Sequence, residues 1–181
     1  MEITVPRGYN ISKLEKGILK EIDKVRMGFH LPAFRYCPLL EMAAKVHTGQ
    51  MVIYDFFDHT NPRNKQLERL MDRISFVQKQ TKSNFPYRCF GENLADYCLY
   101  NSFLFVAIPF AHKRSIQKVF WKKEEELATG MVAGWMNSPG HRKNILNPDF
   151  KFIGQNVLVR NKKISNDEWA PYSIVTHNFG G

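Results

Sequence analysis

The sequence predicts a single α+β domain. Apolar residues recur at helical spacing in the first half of the chain, whereas strand-like segments separated by Asn- and Asp-rich turns dominate its end. This segregation favours helices packed on a sheet over a doubly wound fold, in which helices and strands alternate. The 181 residues suit one domain, and neither a repeat nor a linker divides them. We therefore expect residues 1–181 to form one unit.

Two helices are predicted near the start of the chain. The first follows a capping box, SKLE at residues 12–15, and carries an apolar stripe that ends near Gly28. The second begins at Pro38, because a missing N–H costs nothing at the first helical position, and it ends around residues 54–57. His47 lies on the apolar face of this second helix, and we interpret it as a core histidine.

The middle of the chain mixes several patterns. We expect a short third helix around residues 67–74, a loop over residues 78–86 and a short irregular strand over residues 87–94. Residues 96–123 combine an apolar run at 103–108 with many basic side chains, and we predict that they are partly helical. The apolar run is far shorter than the roughly 20 residues that span a bilayer, so we interpret it as a buried or interfacial segment.

The last third of the chain begins with a helix and ends with strands. Three glutamates at 124–126 favour a helix start, since acidic side chains in a first turn interact well with the helix dipole. The sequence SPG at 138–140 predicts a chain reversal, and NPD at 147–149 predicts a second turn. Strands are expected at 152–160 and 169–179, with a turn at 161–163.

The formal net charge of +9 favours anionic partners such as acidic glycans or membrane surfaces. The basic residues are scattered, however, and no nucleic-acid-binding motif accompanies them, so nucleic acid is not an expected partner. We interpret most of this charge as solvated surface. The first residues contain no visible leader peptide.

The three cysteines, Cys37, Cys89 and Cys98, lack the spacing of a zinc site. A disulfide between Cys89 and Cys98 is one interpretation, and three buried thiols is the other.

Three segments together carry a family resemblance. They are AAKVH at 43–47 with DHTNP at 58–62, GENLA at 91–95, and GWMNSPGHRKNILNPDFKFIG at 134–154. This combination resembles the bacterial branch of the CAP superfamily, the SCP-like domain named after the cysteine-rich secretory proteins. The resemblance implies a three-layer α-β-α sandwich, with residues 96–123 as an insertion atypical of the family. It also implies an exported protein, extracellular or on the outer surface, and makes a lipoprotein a candidate.

The resemblance further implies a cleft that holds two histidines and two acidic residues. Carried over by position, these are His59, His141 and Glu92, while Ser138 stands where the family has its second acid. His59 and His141 would bind a divalent cation such as zinc, but only weakly, because losing an outer-shell carboxylate lowers metal affinity by about 10–100-fold. No residue is assigned as catalytic.

Structural roles compete with these assignments. Glu92 would accept hydrogen bonds from loop amides and tie the sheet to the segment around His59, and His141 would cap or bridge a short helix that begins at Arg142. His177, on the last strand, is expected to be structural or to line the cleft.

Three functions follow, in order of preference. The first is a non-enzymatic domain that binds a ligand or partner, with a lipid, a sterol, a host macromolecule or an acidic glycan as candidates. The second is a metal-dependent hydrolase in which Glu92 acts as general base on a metal-bound water. The third is a polyanion-binding surface protein, which rests on net charge alone.

Overall fold

The computed structural model describes residues 5, 9–83, 87–108, 113–164 and 169–181, apart from the side chains of residues 103, 105–108 and 113–117. The helices are α1 (Ile11–Gly28), α2 (Pro38–Ile53), α3 (Leu70–Thr81), α4 (Glu124–Asn137) and α5 (Pro139–Ile145), with a 3-10 turn at Lys65–Leu67. The strands are β1 (Arg35–Tyr36), β2 (Phe90–Cys98), β3 (Tyr100–Ile108), β4 (Lys113–Trp121), β5 (Phe152–Lys163) and β6 (Trp169–Gly180).

The main sheet has the strand order β1-β5-β6-β2. Its β1 strand runs parallel to β5, and the other neighbours are antiparallel. Helices cover both faces: α1 and α4 pack on one, and α2 and α3 on the other. The predicted α+β, three-layer α-β-α sandwich is therefore confirmed, and β2 lies at the edge of its middle layer.

Close packing of α2 on the sheet depends on a glycine. A Cβ added at Gly154 of β5 would overlap the backbone nitrogen of Glu41 in α2. The glycine lets the first turn of α2 approach the strand, and α2 in turn carries the chain towards His59.

The start of α1 corrects the predicted capping box. The helix begins at Ile11, and the side chain of Asn10 accepts the N–H of Lys13 at 2.9 Å. Glu15 does not reach back to the helix start, because its carboxylate accepts the N–H of Val157 at 3.2 Å instead. The predicted ends of α1 at Gly28 and of α2 near residue 54 are confirmed.

Three predicted boundaries are wrong because regular structure extends further than the sequence indicates. Helix α3 continues to Thr81, since Val77 is buried against α2 and the polar residues after it form the outer face of the last turn. Strand β5 continues to Lys163, which pairs with Trp169, so residues 161–163 do not turn. Strand β2 is a regular nine-residue strand. Residues 84–86 of the predicted loop lie outside the described residues.

The described residues of the segment 96–123 form strands, so the prediction that the segment is partly helical is wrong for them, and residues 109–112 lie outside the described residues. The segment contains the end of β2 and an antiparallel hairpin, β3–β4, in which Phe103 lies opposite Val119. The hairpin forms a two-stranded sheet of its own. Its apolar and β-branched residues satisfy a strand pattern as well as a helical one, and pairing with the partner strand decides between them.

The SPG segment joins two helices. Ser138 is the only residue between α4 and α5, and its extended backbone turns the chain before Pro139 begins α5. The short helix therefore begins three residues before Arg142, and His141 lies inside it and does not cap it.

All three cysteines are free thiols. Cys89 immediately precedes β2 and Cys98 ends it. Nine residues of strand separate them by roughly 30 Å, because each residue rises about 3.3 Å, so a disulfide between them within one chain is excluded. Within the described ranges, the helices are too short or too polar to cross a bilayer.

Candidate functional site

Glu92 lies at the centre of a buried polar cluster. It points from β2 towards α2 and α3 and is only 8% exposed. Its Oε2 accepts a hydrogen bond from Arg73 Nη2 at 2.7 Å, and its Oε1 accepts one from His59 Nδ1 at 2.9 Å. Each carboxylate oxygen therefore has a side-chain donor. Glu92 does tie the sheet to the segment around His59, but the donors are side chains and not the loop amides that we expected.

Arg73 is the residue that sequence analysis missed. It is fully buried in α3 and also donates to the carbonyl oxygens of Leu67 and Glu68 and, at 3.3 Å, of His59. In the sequence it looks like one of several surface cations. A signal was present, however, since Arg73 adjoins Ile74 and precedes Val77 by four residues, which places it on the buried face of α3.

The charges of this cluster stabilise one another. Burial by itself raises the pKa of Glu92, but the hydrogen bond from His59 and the charge of Arg73 outweigh it and leave the pKa below its ordinary value. The hydrogen bond to Glu92 raises the pKa of His59 and outweighs the opposing effect of its burial. The cluster consequently favours an ionised Glu92 beside a protonated His59.

His141 comes close to this cluster from α5. Its ring centroid lies 6.4 Å from that of His59. Burial lowers the pKa of His141, and the neighbouring His59 lowers it further. The structure therefore brings the two predicted histidines and Glu92 into one region.

Two asparagines fix the position of α5 against β2. Asn144 Nδ2 donates to Asn93 Oδ1 at 2.8 Å and to the carbonyl oxygen of Glu92 at 3.1 Å, and Asn93 Nδ2 donates to the carbonyl oxygen of His141 at 3.1 Å. Gly91 permits this approach, because a Cβ there would lie 3.0 Å from Asn144 Oδ1. The second and third sequence segments of the resemblance are thus joined by hydrogen bonds.

An apolar groove of about 300 Å³ adjoins this region. Ser138 and His141 both line it, and residues 94–97 of β2 also contribute to its surface. The remaining lining residues are Phe57, Met131, Gly134 and Trp135. Ser138 thus faces a mostly apolar space, and Asp96 is the one acidic residue among the described residues that line it.

The residues fit a metal ion only partly. In the described part of the chain, no three His, Cys, Asp or Glu side chains converge as metal ligands. Two imidazoles on one tetrahedral zinc have centroids about 5 Å apart, given Zn–N bonds near 2.0–2.1 Å, so the rings of His59 and His141 would have to approach each other from 6.4 Å. The hydrogen bond from His59 Nδ1 to Glu92 does leave Nε2 for a metal.

The other two histidines of this region are buried. His47 Nε2 donates to the carbonyl oxygen of Asp58 at 2.9 Å, and burial lowers its pKa to about 4, so the predicted core position is confirmed. His177 is fully buried against Trp135, with ring centroids 4.7 Å apart, and burial lowers its pKa to about 3. Of its two predicted roles, His177 has the structural one.

Fold and sequence define the class of this protein. The chain belongs to the cysteine-rich secretory protein family, CAP, whose family model matches residues 19–165. The chain is 25% identical over 145 residues to the uncharacterized protein YkwD of Bacillus subtilis, which covers 80% of this chain and 42% of YkwD. The chain thus spans about two fifths of that relative's length, and its sequence matches are of the bacterial CAP type.

Solved structures share the fold. An outer surface protein of Borrelia burgdorferi superposes with a TM-score of 0.60 at 20% identity, covering 94% of each chain. An extracellular protein containing an SCP domain from Bacillus anthracis superposes with a TM-score of 0.56 at 22% identity, covering 93% of this chain and 40% of that one. At these identities the likeness concerns the fold alone.

Proposed function

We propose that this chain is a non-enzymatic CAP domain that acts outside the cell, at its surface, and binds a ligand or partner in the groove beside His141. One observation carries the proposal: both oxygens of Glu92 already accept hydrogen bonds, one of them from the buried Arg73. A general base must reach its substrate and have a pKa near the working pH, whereas Glu92 is buried between Arg73 and His59 and its pKa is held below its ordinary value.

The groove supports binding. Its volume of about 300 Å³ lies at the lower end of the range of small-molecule pockets, and its walls are mainly apolar. A lipid, a sterol or an apolar part of a larger partner has the matching chemistry. The surface location is supported by the outer-surface and extracellular descriptions of the two structural neighbours.

Weak divalent-metal binding belongs to the same proposal. His59 and His141 are the two imidazoles available, and Ser138 offers only a hydroxyl in place of a carboxylate. Two imidazole ligands fall short of the three protein ligands that a catalytic zinc site normally has.

A metal-dependent hydrolase is the second candidate, favoured by the hydrogen bond between His59 and Glu92. Carboxylate–histidine pairs of this kind orient ligands in metal enzymes. The two candidates differ in metal affinity and in turnover.

Zinc calorimetry separates them. We expect the wild-type chain to bind zinc no tighter than about millimolar, and a double variant, His59→Ala with His141→Ala, to bind none. The exposed His30 provides a matched control, and His30→Asn should behave like the wild type. Micromolar zinc binding that the double variant abolishes, together with zinc-dependent ester or peptide hydrolysis, would favour the hydrolase.

Native mass spectrometry of the purified chain tests the binding function itself. The expected result is a bound small molecule that organic extraction removes. A chain that carries no ligand and takes up neither laurate nor cholesterol would contradict the small-molecule form of the proposal.

A further inference from the structure

Strand β2 has an outer edge on which side chains occupy three of the outward carbonyl oxygens. Among the described strands, β6 is its one partner in the main sheet. The carbonyl oxygen of Glu92 accepts a hydrogen bond from the side chain of Asn144 at 3.1 Å, and that of Leu94 accepts one from Trp135 at 2.8 Å. The carbonyl oxygen of Cys98 accepts one from Lys122 at 3.0 Å. These carbonyls belong to alternate residues, so they point away from β6, and the backbone groups of Asp96 between them point the same way.

Asp96 is the open position of this edge. Among the described residues, its outward N–H and C=O have no hydrogen-bond partner. Its side chain is only 6% exposed although the residue as a whole is half-buried, so the exposed part is mainly backbone. Asp96 Oδ2 accepts from Arg160 and Lys162, whereas the buried Oδ1 has no partner in the described structure.

The same residue lines the apolar groove. Asp96 contributes to the groove surface together with Phe57 and the α4 residues Met131 and Trp135. A free donor–acceptor pair on a strand edge therefore stands beside a space for one large apolar side chain. A lipid chain would use the apolar space but not the backbone pair, whereas a peptide uses both.

Two lysines near the groove bear on the charge of its ligand. The amino groups of Lys122 and Lys162 lie at this end of β2, where they contact Cys98 and Asp96, and Lys162 is 43% exposed. The formal net charge of the chain is +9. An acidic residue in the partner is complementary to this edge.

We propose that the groove binds an extended peptide segment, which pairs its backbone with Asp96 and inserts one large apolar side chain flanked by an acidic residue. Addition of a strand to an exposed sheet edge is a general mode of peptide recognition, in which backbone hydrogen bonds give affinity and a pocket gives specificity. The inference rests on the proposed binding function of the groove and names the class of its ligand.

The test is a titration of the 15N-labelled chain, followed by amide chemical shifts and hydrogen exchange. The probe is the blocked peptide Ac-Glu-Thr-Phe-Thr-NHMe. We expect saturable shifts at residues 94–97 and slowing of the Asp96 amide exchange by about tenfold or more. Replacing Phe by Gly in the peptide should weaken binding by about tenfold or more, because the apolar contact is lost. When the peptide amides are N-methylated one at a time, at least one methylated peptide should also bind about tenfold or more weakly, because its amide can no longer donate a hydrogen bond to Asp96.

A protein variant provides an independent check. Ser138→Phe places a ring at the groove and should weaken binding of the Phe peptide by about tenfold or more. Ser75→Phe, at an exposed position of α3, is the matched control and should leave binding unchanged.

Several results would overturn the inference. Equal affinity for the Phe and Gly peptides would show that the groove does not bind the apolar side chain. Unchanged exchange of the Asp96 amide would show that the peptide does not pair with β2. Protection of that amide by dimerisation in the absence of peptide would assign the edge to a second copy of this chain. Binding of laurate at the groove without peptide binding would reject the peptide and leave the proposed function intact, while binding of neither would reject both.

Discussion

The two halves of β2 differ in how completely their polar groups are satisfied. In the first half, both oxygens of Glu92 have donors and its carbonyl is bonded to Asn144. In the second half, Asp96 keeps an unpartnered backbone pair and one unpartnered carboxylate oxygen, in the part of the chain that the structure describes. Under our two proposals, Glu92 serves stability, whereas binding takes place four residues further along the strand.

Removing Arg73 should have the largest effect. Arg73→Met leaves Glu92 buried without its cationic partner, and the loss in unfolding free energy should be about 3–5 kcal/mol. Urea denaturation measures it. Lys79→Met, at an exposed position of the same helix, is the control and should change the unfolding free energy by less than about 0.5 kcal/mol. Equal losses in the two variants would mean that the first half of β2 does not depend on this ion pair.

Acid should destabilise the fold through its buried histidines. Burial lowers the pKa of His177 to about 3 and of His47 to about 4, so the unfolded chain binds these protons first as the pH falls below about 6.5. The stability that these residues contribute is complete above that pH and is lost as the pH falls towards the folded-state pKa. Between pH 7 and pH 5 each should cost about 2 kcal/mol of unfolding free energy.

The variant His177→Gln checks this dependence. The unfolding free energy of the variant will differ from that of the wild type at each pH. The decrease in unfolding free energy between pH 7 and pH 5 should be smaller in the variant by about 2 kcal/mol. An unchanged difference between the two pH values would contradict the assignment.

A glutamate in place of Ser138 should increase the zinc affinity of the region around His141. Ser138→Glu places a carboxylate beside His141 and should strengthen zinc binding by about 10-fold or more, since an outer-shell partner is worth 10–100-fold in metal affinity. Calorimetry measures the gain, and Ser138→Gln, with similar size and no charge, is the control. Equal affinities in the two variants would indicate that the groove no longer has the geometry of a metal site.

The smallest effect should come from Lys162. Its ion pair with Asp96 is partly exposed, and Arg160 remains bonded to the same carboxylate oxygen, so Lys162→Met should cost less than about 1 kcal/mol of unfolding free energy. Urea denaturation at low and high salt should show the loss shrinking as salt rises. A cost of several kcal/mol would mean that Asp96 is as tightly integrated as Glu92.

Local signals account for what could be predicted from the sequence. The apolar stripe of α1 and the proline at the start of α2 placed two helices correctly, and three short segments indicated the sandwich. The hairpin β3–β4 was missed because a six-residue apolar run fits a helix and a strand equally, and only the pairing of the two strands distinguishes them. The residues of the site also differ in how far the sequence predicts them. His59, Glu92 and His141 are visible as motifs, but the ion pair of Arg73 with Glu92 joins different elements and is not encoded in local spacing. That residues 96–123 are an insertion in the family stays a prediction.

The side-chain donors along β2 also bear on how this protein behaves at high concentration. An uncovered strand edge offers a ladder on which identical chains can stack, which is a common route to aggregates. Here three alternate carbonyl oxygens are already bonded to Asn144, Trp135 and Lys122, so a second sheet would find few free acceptors along this edge. Replacing Lys122, which is only half-buried, should therefore lower colloidal stability before it lowers folding stability, whereas replacing the buried Trp135 would lower both.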